Sequence, residues 1–371
     1  MRILQIITRM DSIGGAQRHV VELCQAARAA GHEVHLAYGG SCALSFQETE
    51  GIELHPIGAM LREISPLKDW AAMKELLDLM KKIHPDLVAT HSTKAGILGR
   101  LAAARAKVCN LHTVHGWSVS FSGNAFKRLI YRQIESRVHR LADGIICVCK
   151  YDHAHALKLG FDPEKLRVIY NGRPYSSVQA NIKTDNFEEP VRIVSIGRMA
   201  WPKQPEQLLR YLTVDRESRL DLLGDGPREE EVKNYAKELG VSDRVTFHGH
   251  VDQIDPILAQ ADIFALVSDW EGFPMSTLEA MAVGLPTVVS RVGGAAEAID
   301  EGVTGFTIAR GDEQALHSCL KKLVAAPDLR RDLGRAAREL YNRKFKLSAM
   351  VTETLEFYQE CLSGSSPSSS E

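Results

Sequence analysis

Along the chain, short apolar runs rich in Val, Ile and Leu alternate with longer stretches whose apolar positions recur every three to four residues. The first pattern predicts strands buried on both faces, the second amphipathic helices. Residues 2–8, 33–37, 87–90, 108–113, 144–148 and 167–170 read as strands, with helices at 16–30, 67–83 and 95–106 among them. Polar residues at 176–190 break the rhythm, which then restarts. Strands are predicted at 191–196, 219–223, 245–247, 263–267 and 287–290, and helices at 227–239, 275–283 and 313–325. A continuous helical pattern covers 328–362, and the Ser-rich end, 363–371, reads as a disordered tail.

Strands separated by helices of this length imply βαβ crossovers and parallel sheets. The expected layout is two Rossmann-like, doubly wound α/β domains, 1–175 and 191–345, facing across a cleft and joined by a linker at 176–190. A C-terminal helix at 346–362 is expected to pack back toward the first domain. In such sheets ligands bind beyond the carboxyl ends of the strands, so binding chemistry belongs in the loops that follow them.

Composition is that of a soluble globular protein, 44% apolar and 25% charged, but the net charge of −2 hides an asymmetry. Residues 1–175 carry 23 Lys and Arg against 16 Asp and Glu, and the remainder 22 against 31. A basic half joined to an acidic half implies different partners for each, and no feature points to nucleic acid. The first residues read as a strand rather than a signal peptide, and no run nears the ~18 apolar residues of a membrane span. Seven cysteines at irregular spacing do not make a disulfide framework, which favours a reducing cytoplasm.

The most informative segment follows the predicted strand 263–267. Glu271-Gly272-Phe273-Pro274-Met275 turns into a helix that carries Glu279 two helical turns on. Gly272 permits a tight turn, Pro274 suits a first helical turn, and the amides there are open to hydroxyls or anions. By itself the segment reads equally well as a capped helix with one solvated glutamate. Gly14-Gly15 after the first strand suits close approach of a diphosphate to a helix N-terminus, although an ordinary βα turn has the same sequence. Arg198 and Lys203 lie just past strand 191–196, where two cations can neutralise phosphates or simply be solvated. His115 follows strand 108–113 beside Gly116 and Trp117; His112, within that strand, reads as structural.

Glu271 and Glu279, spaced E-x7-E around Gly-Phe-Pro, resemble the signature of glycosyltransferase family 4, retaining enzymes of the two-Rossmann GT-B fold. Gly14-Gly15-Ala16-Gln17, Thr113-Val114-His115-Gly116-Trp117, Val168-Ile169-Tyr170-Asn171-Gly172, Ile196-Gly197-Arg198 with Lys203, and Leu223-Gly224-Asp225-Gly226-Pro227 resemble the same family in the same order. The resemblance spans residues 1–345. It implies that Glu279 holds the donor ribose, that Glu271 and the backbone of Phe273, Pro274 and Met275 meet the sugar, and that Arg198 and Lys203 clamp the diphosphate. Gly14 and Gly15 would also meet the donor, and His115 would approach its sugar and diphosphate. Where the family often has Lys-Gly, this chain has Lys203-Gln204-Pro205.

The implied reaction moves a sugar from a nucleotide-sugar, expected to be a UDP-sugar, to a hydroxyl of a glycan acceptor. His115–Ser118, Pro202–Glu206 and the Glu271 segment look like those of bacterial O-antigen, capsule and exopolysaccharide transferases, whose acceptors are commonly lipid-diphosphate-linked. No D-x-D is present, and the GT-B resemblance implies that basic groups and helix dipoles, with no cofactor or metal, hold the diphosphate. Cys147, Cys149, His153 and His155 have the composition of soft metal ligands but not a common zinc spacing. Residues 126–141 (FKRLIYRQIESRVHRL) form a basic amphipathic helix, with Phe126, Leu129, Ile130, Ile134, Val138 and Leu141 in one stripe and Lys127, Arg128, Arg132 and Arg140 beside it. Core packing is one reading; docking on the anionic inner face of the cell membrane is the other. A nucleotide-sugar epimerase of the same architecture and a non-catalytic sugar-nucleotide-binding protein remain alternatives.

Overall fold

A computed structural model describes residues 1–12, 14–117, 125–181 and 190–364, and it divides into two compact units. The tail 365–371 lies outside the described residues.

The first unit comprises Met1–Gly172 and the last helix, Leu347–Ser363. Its strands are β1 (Arg2–Ile7), β2 (Glu33–Tyr38), β3 (Glu53–Pro56), β4 (Leu87–His91), β5 (Cys109–Val114), β6 (Gly144–Cys147) and β7 (Leu166–Val168). They form one parallel sheet in the order β3-β2-β1-β4-β5-β6-β7, with Ile3 of β1 opposite Val34 and Leu87. Helices cover both faces. Val20, Leu23 and Cys24 of helix Gly15–Ala29 share a core with Leu36, Phe357 and Tyr358 on one side. On the other, Leu76 and Met80 of helix Pro66–Ile83 and Leu98 of helix Thr93–Ala106 pack on Leu4, Ile6 and Val88. Each such buried aliphatic side chain contributes ~1.5–3 kcal/mol, which is why β1 and β4 read so clearly as strands.

Strand β3 escapes the sequence pattern because it is an edge strand whose four residues are exposed or half-buried. Helix Ala125–Val138 occupies the first part of the basic segment. The side chains of Phe126, Lys127, Arg128, Ile130 and Arg132 lie outside the described residues. Of the remainder of the stripe, Val138 is buried and Ile134 half-buried, whereas Leu129 is 54% exposed. Glu135 anchors this helix through a two-pronged pair with Arg100, both bonds 2.9 Å and both side chains buried.

The second unit, Arg173–Lys346, holds β8 (Arg192–Ile196), β9 (Arg219–Leu223), β10 (Val245–Gly249), β11 (Ile263–Leu266), β12 (Thr287–Ser290) and β13 (Gly305–Ile308). These too are all parallel, in the order β10-β9-β8-β11-β12-β13. Strand β13 and helix Glu206–Val214 are absent from the sequence reading; the first opens on a glycine and is half-buried at its centre. The polar segment from Ser176 is not free where it is described. Ser176 Oγ donates to Asp255 at 2.7 Å, and the amides of Ala180 and Asn181 bond Val283 and Ala259; residues 182–189 lie outside the described residues.

The continuous helix expected over 328–362 is two helices, Pro327–Lys344 and Leu347–Ser363. The apolar period runs on through the break, but Phe345 is buried and its carbonyl accepts the Arg173 amide at 3.0 Å, so it cannot serve the next helical turn. That break is also where the two units divide.

Candidate active site

In the second unit the strand order reverses at β8, with β9 on one side and β11 on the other. A crevice beyond the carboxyl ends of β8 and β11 is therefore the expected binding place. Gly197-Arg198 follows β8, and the Glu271 turn follows β11. The segment that carries Lys203 is stitched to that turn, with Gln204 N–H donating to Val267 at 3.0 Å and Asp269 N–H to Pro202 at 2.9 Å. Lys203 passes under Gly197, where an added Cβ would come within 2.9 Å of its Cε. Its Nζ reaches Glu271 Oε1 at 2.5 Å.

Two glycines make this packing possible. Gly293, at φ 53°, lies so close to the Glu271 carbonyl that a Cβ would stand 1.7 Å from its oxygen. Gly224, at φ 118°, would place one 2.3 Å from the Gly197 carbonyl. Loops after β12 and β9 thus press on the loops after β11 and β8, and no side chain fits between them.

Among the described residues, every cation of the crevice but one is committed. Arg310 Nε donates to Asp269 at 2.8 Å, and Gln204 donates to the other carboxylate oxygen at 2.8 Å. Burial alone would raise the Asp269 pKa, but these bonds outweigh it and hold the carboxyl below its usual range. Glu279 lies 3.8 Å from Arg173, whose guanidinium also bonds Asp255 at 2.7 Å. Arg198 is exposed and has no hydrogen bond or ion pair among the described residues. A small recess beside it is lined by Gly197, Met199, Lys203, Leu223 and Val267.

Helix Met275–Val283 starts here with no side-chain cap. Pro274 is its N-cap residue rather than part of its first turn. Phe273, Pro274 and Met275 are buried, Phe273 against Phe345 with ring centroids 5.5 Å apart, so only their backbone is available to a ligand.

The first unit reverses strand order between β1 and β4. Gly14 caps helix Gly15–Ala29 in an extended conformation, and its amide already bonds Gln17 Oε1 at 3.3 Å. Ser92, after β4, is held at φ 65°, ψ 161°, a backbone region that costs a residue with a Cβ ~1–3 kcal/mol. Thr8 Oγ1, 2.7 Å from Ser92 Oγ, braces it.

His115 does not stand alone. His91 Nδ1 lies 3.1 Å from His115 Nε2, and the His19 ring meets His115 edge-on, with centroids 4.8 Å apart. Burial holds His91 and His115 well below the ordinary imidazole range, helped by their neighbouring rings, and lowers His19 to about 4. His112 is structural: it bonds Thr90 at 3.0 Å and packs on Gly96. Cys149 caps helix Lys150–Lys158 by accepting the Asp152 amide, and Cys147 lies in the Trp117–Phe161 core.

Sequence patterns missed His19, His91, Arg173, Asp255 and Gly293. A strand-terminal histidine such as His91 was the one available signal, since β4 was correctly read and ligands meet strand ends.

Comparison with known proteins agrees with this architecture. Residues 13–175 match the profile of Glycosyltransferase Family 4, and residues 179–340 that of Glycosyl transferases group 1. An Escherichia coli relative, UDP-Gal:alpha-D-GlcNAc-diphosphoundecaprenol alpha-1,3-galactosyltransferase, is 31% identical over 290 residues, 73% of this chain and 74% of that protein. The chain belongs to the family 4, group 1 glycosyltransferases. N-acetyl-alpha-D-glucosaminyl L-malate synthase of Bacillus anthracis is 24% identical over 96% of both chains. Among solved structures, sucrose-phosphate synthase of Thermosynechococcus elongatus superposes with a TM-score of 0.86, covering 98% of this glycosyltransferase and all of that chain at 20% identity. Anabaena HepE in complex with UDP gives 0.80 over 97% and all of that chain, at 19% identity. The fold of this glycosyltransferase is GT-B. Among its described residues no helix is long and apolar enough to cross a membrane.

Proposed function

We propose that this glycosyltransferase moves a sugar from a UDP-sugar to a hydroxyl of a lipid-diphosphate-linked glycan, with retention of anomeric configuration, in the assembly of a bacterial surface polysaccharide. The observation that carries the reading is the uncommitted Arg198, beside the Lys203–Glu271 pair and in the same strand-end crevice as an uncapped helix N-terminus. A cation and a helix N-terminus without a side-chain cap, at a strand-order switch, suit a diphosphate. The Escherichia coli relative is named for a UDP-sugar and a diphosphoundecaprenol-linked acceptor, which supports the same classes here.

Residue roles follow from family resemblance and chemistry together. Glu279 accepts bonds from the two ribose hydroxyls. Glu271 and the backbone from Phe273 to Met275 hold the sugar. Arg198 and Lys203 take up charge as the diphosphate departs, and the departing phosphate helps deprotonate the acceptor on the same face. Gly14 and Gly15 meet the donor, and His115 orients the sugar as a neutral ring, donating or accepting a hydrogen bond rather than supplying charge. No metal is required for these steps. A basic segment at 126–141, with Leu129 exposed, brings the enzyme to the anionic membrane surface on the cytoplasmic side that carries the acceptor.

The test is titration of Arg198→Ala and Glu279→Ala with UDP, coupled to NMR of the product. Each variant should lose about tenfold or more in UDP affinity, since bonds to charged groups contribute ~1.5–3 kcal/mol. Unaltered UDP affinity in both, or a product of inverted configuration, removes this reading.

A further inference from the structure

The chemistry of the first unit's switch point is not exhausted by His115. His19 comes from the helix after β1, His91 ends β4, and His115 follows β5. One ring nitrogen of each lies within 4.8 Å of those of the other two. We propose that His19, His91 and His115 form a three-histidine site for a divalent transition-metal ion of the zinc class, with the fourth coordination position open.

The spacing suits such an ion. Zn–N bonds of about 2.0–2.1 Å in a tetrahedron set ligand nitrogens roughly 3.4 Å apart, and three histidines with an open position are a known zinc donor set. His91 Nδ1 and His115 Nε2 stand at 3.1 Å, so the pair needs only a slight opening, and the His19 ring swings in to complete the face.

Orientation is fixed from behind. Gln5 Oε1 lies 2.7 Å from His91 Nε2 and can only accept, so His91 carries its proton there and turns the Nδ1 lone pair inward. Without an ion that lone pair accepts a hydrogen bond from His115 Nε2–H; for an ion to bind, the His115 hydrogen shifts to Nδ1, so that both facing nitrogens present lone pairs and the ring stays neutral. Gln5 is itself held by Tyr358, its amide 3.5 Å from the phenol oxygen. This is the outer-shell arrangement that orients metal-binding imidazoles. His19 is 3% exposed, and its Nδ1 is buried without a hydrogen-bond partner. An all-imidazole donor set selects Zn²⁺, Co²⁺, Ni²⁺ or Cu²⁺ over Mg²⁺ or Ca²⁺, which require oxygen ligands.

The site has a consequence for catalysis, and this clause rests on the role given to His115 above. Metal binding takes the ring nitrogen of His115, so ions of this class inhibit sugar transfer while Mg²⁺ does not.

The test uses the full-length enzyme titrated with Co²⁺ in chelator-free buffer, read by visible d–d absorption. One equivalent should produce bands of four-coordinate Co²⁺ that Zn²⁺ abolishes. His19→Phe should remove them, Gln5→Met should weaken Co²⁺ binding about tenfold, and His55→Ala, in the other histidine group with His35 and Glu53, should leave them intact. X-ray absorption of the Zn²⁺-loaded wild type, which needs no variant to fold, should give a nitrogen and oxygen shell with imidazole scattering. Sulfur in that shell, a spectrum unchanged in folded His19→Phe, or no Co²⁺ bands overturns the site. Metal binding without inhibition leaves the site standing and removes only the role assigned to His115.

Discussion

Beside β1 of the first unit stand three imidazoles, two buried and one half-buried, held below their ordinary range by burial, whereas beside β8 of the second stand the ion pairs Lys203–Glu271, Asp269–Arg310 and Arg173–Asp255, and Arg198, which has no partner among the described residues. Topology at the two places is the same, a parallel sheet reversing its strand order next to its first strand. The difference lies in how each treats charge. The paired carboxylates of the second unit keep 11–26% of their side-chain surface exposed, so water shares the cost of their ionisation. Histidines are buried at lower cost than carboxylates and lysines left without a partner, because they shed their charge near neutral pH. One crevice is thus suited to an anion, and the other to neutral ligands or a metal ion.

Among its described residues the first unit does bury one full ion pair, between helices Thr93–Ala106 and Ala125–Val138: Arg100 and Glu135, 0% and 4% exposed. Breaking it is the harshest test of the contrast. Glu135→Ala leaves a guanidinium stranded in the core and should destabilise the first unit by ~3–5 kcal/mol in denaturant unfolding. Replacing both partners together, Arg100→Met with Glu135→Leu, should recover most of that loss. A loss under ~1 kcal/mol in the single variant means that water reaches the pair and that the two units handle charge alike.

How far the sequence could be read follows the same division. Strands β1, β4 and β11 were legible because both faces are buried, and the layout of two parallel α/β domains came with them; GT-B came only with the family resemblance. The helix break at Phe345 was not, since what stops the helix is the Arg173 amide, far away in sequence. Arg198, Lys203 and Glu271 stood out as charged residues in loops after strands, but the pairing of Lys203 with Glu271 depends on the stitching of 202–204 to 267–269. The His19–His91–His115 cluster had no linear spacing to betray it, because parallel crossovers bring together residues that lie dozens of positions apart.

Charge also differs between the halves as wholes, with the basic excess in residues 1–175. If that excess serves a membrane, Lys127, Arg128 and Arg132 replaced together by Gln should weaken binding to anionic vesicles by ~1 kcal/mol per residue at low salt, and less as salt rises. Co-sedimentation with vesicles of anionic and of neutral lipid measures it. Equal binding of wild type and variant to both would make the segment plain scaffold and leave the charge asymmetry without this role.

The mildest effect belongs to the second unit's crevice and asks whether its ion pairs are structural at all. Lys203 and Glu271 keep 19% and 11% of their side-chain surface, so their 2.5 Å bond is partly screened. A double-mutant cycle with Lys203→Met and Glu271→Gln should give a stability coupling of ~1–2 kcal/mol, below the cost of breaking Arg100–Glu135. Asp269–Arg310 is the internal control. Arg310 is 62% exposed, and Asp269 keeps its bond from Gln204 when Arg310 is removed. Arg310→Gln should therefore cost under ~1 kcal/mol and vanish into the noise at high salt. If the Lys203–Glu271 coupling is no larger than the loss in Arg310→Gln, Lys203 and Glu271 are held no more tightly than a surface pair, and both are free to turn to a donor at little cost. A Lys203–Glu271 coupling near that of the buried pair would mean instead that donor binding must first break a strong bond, and that Arg198 alone meets the incoming diphosphate.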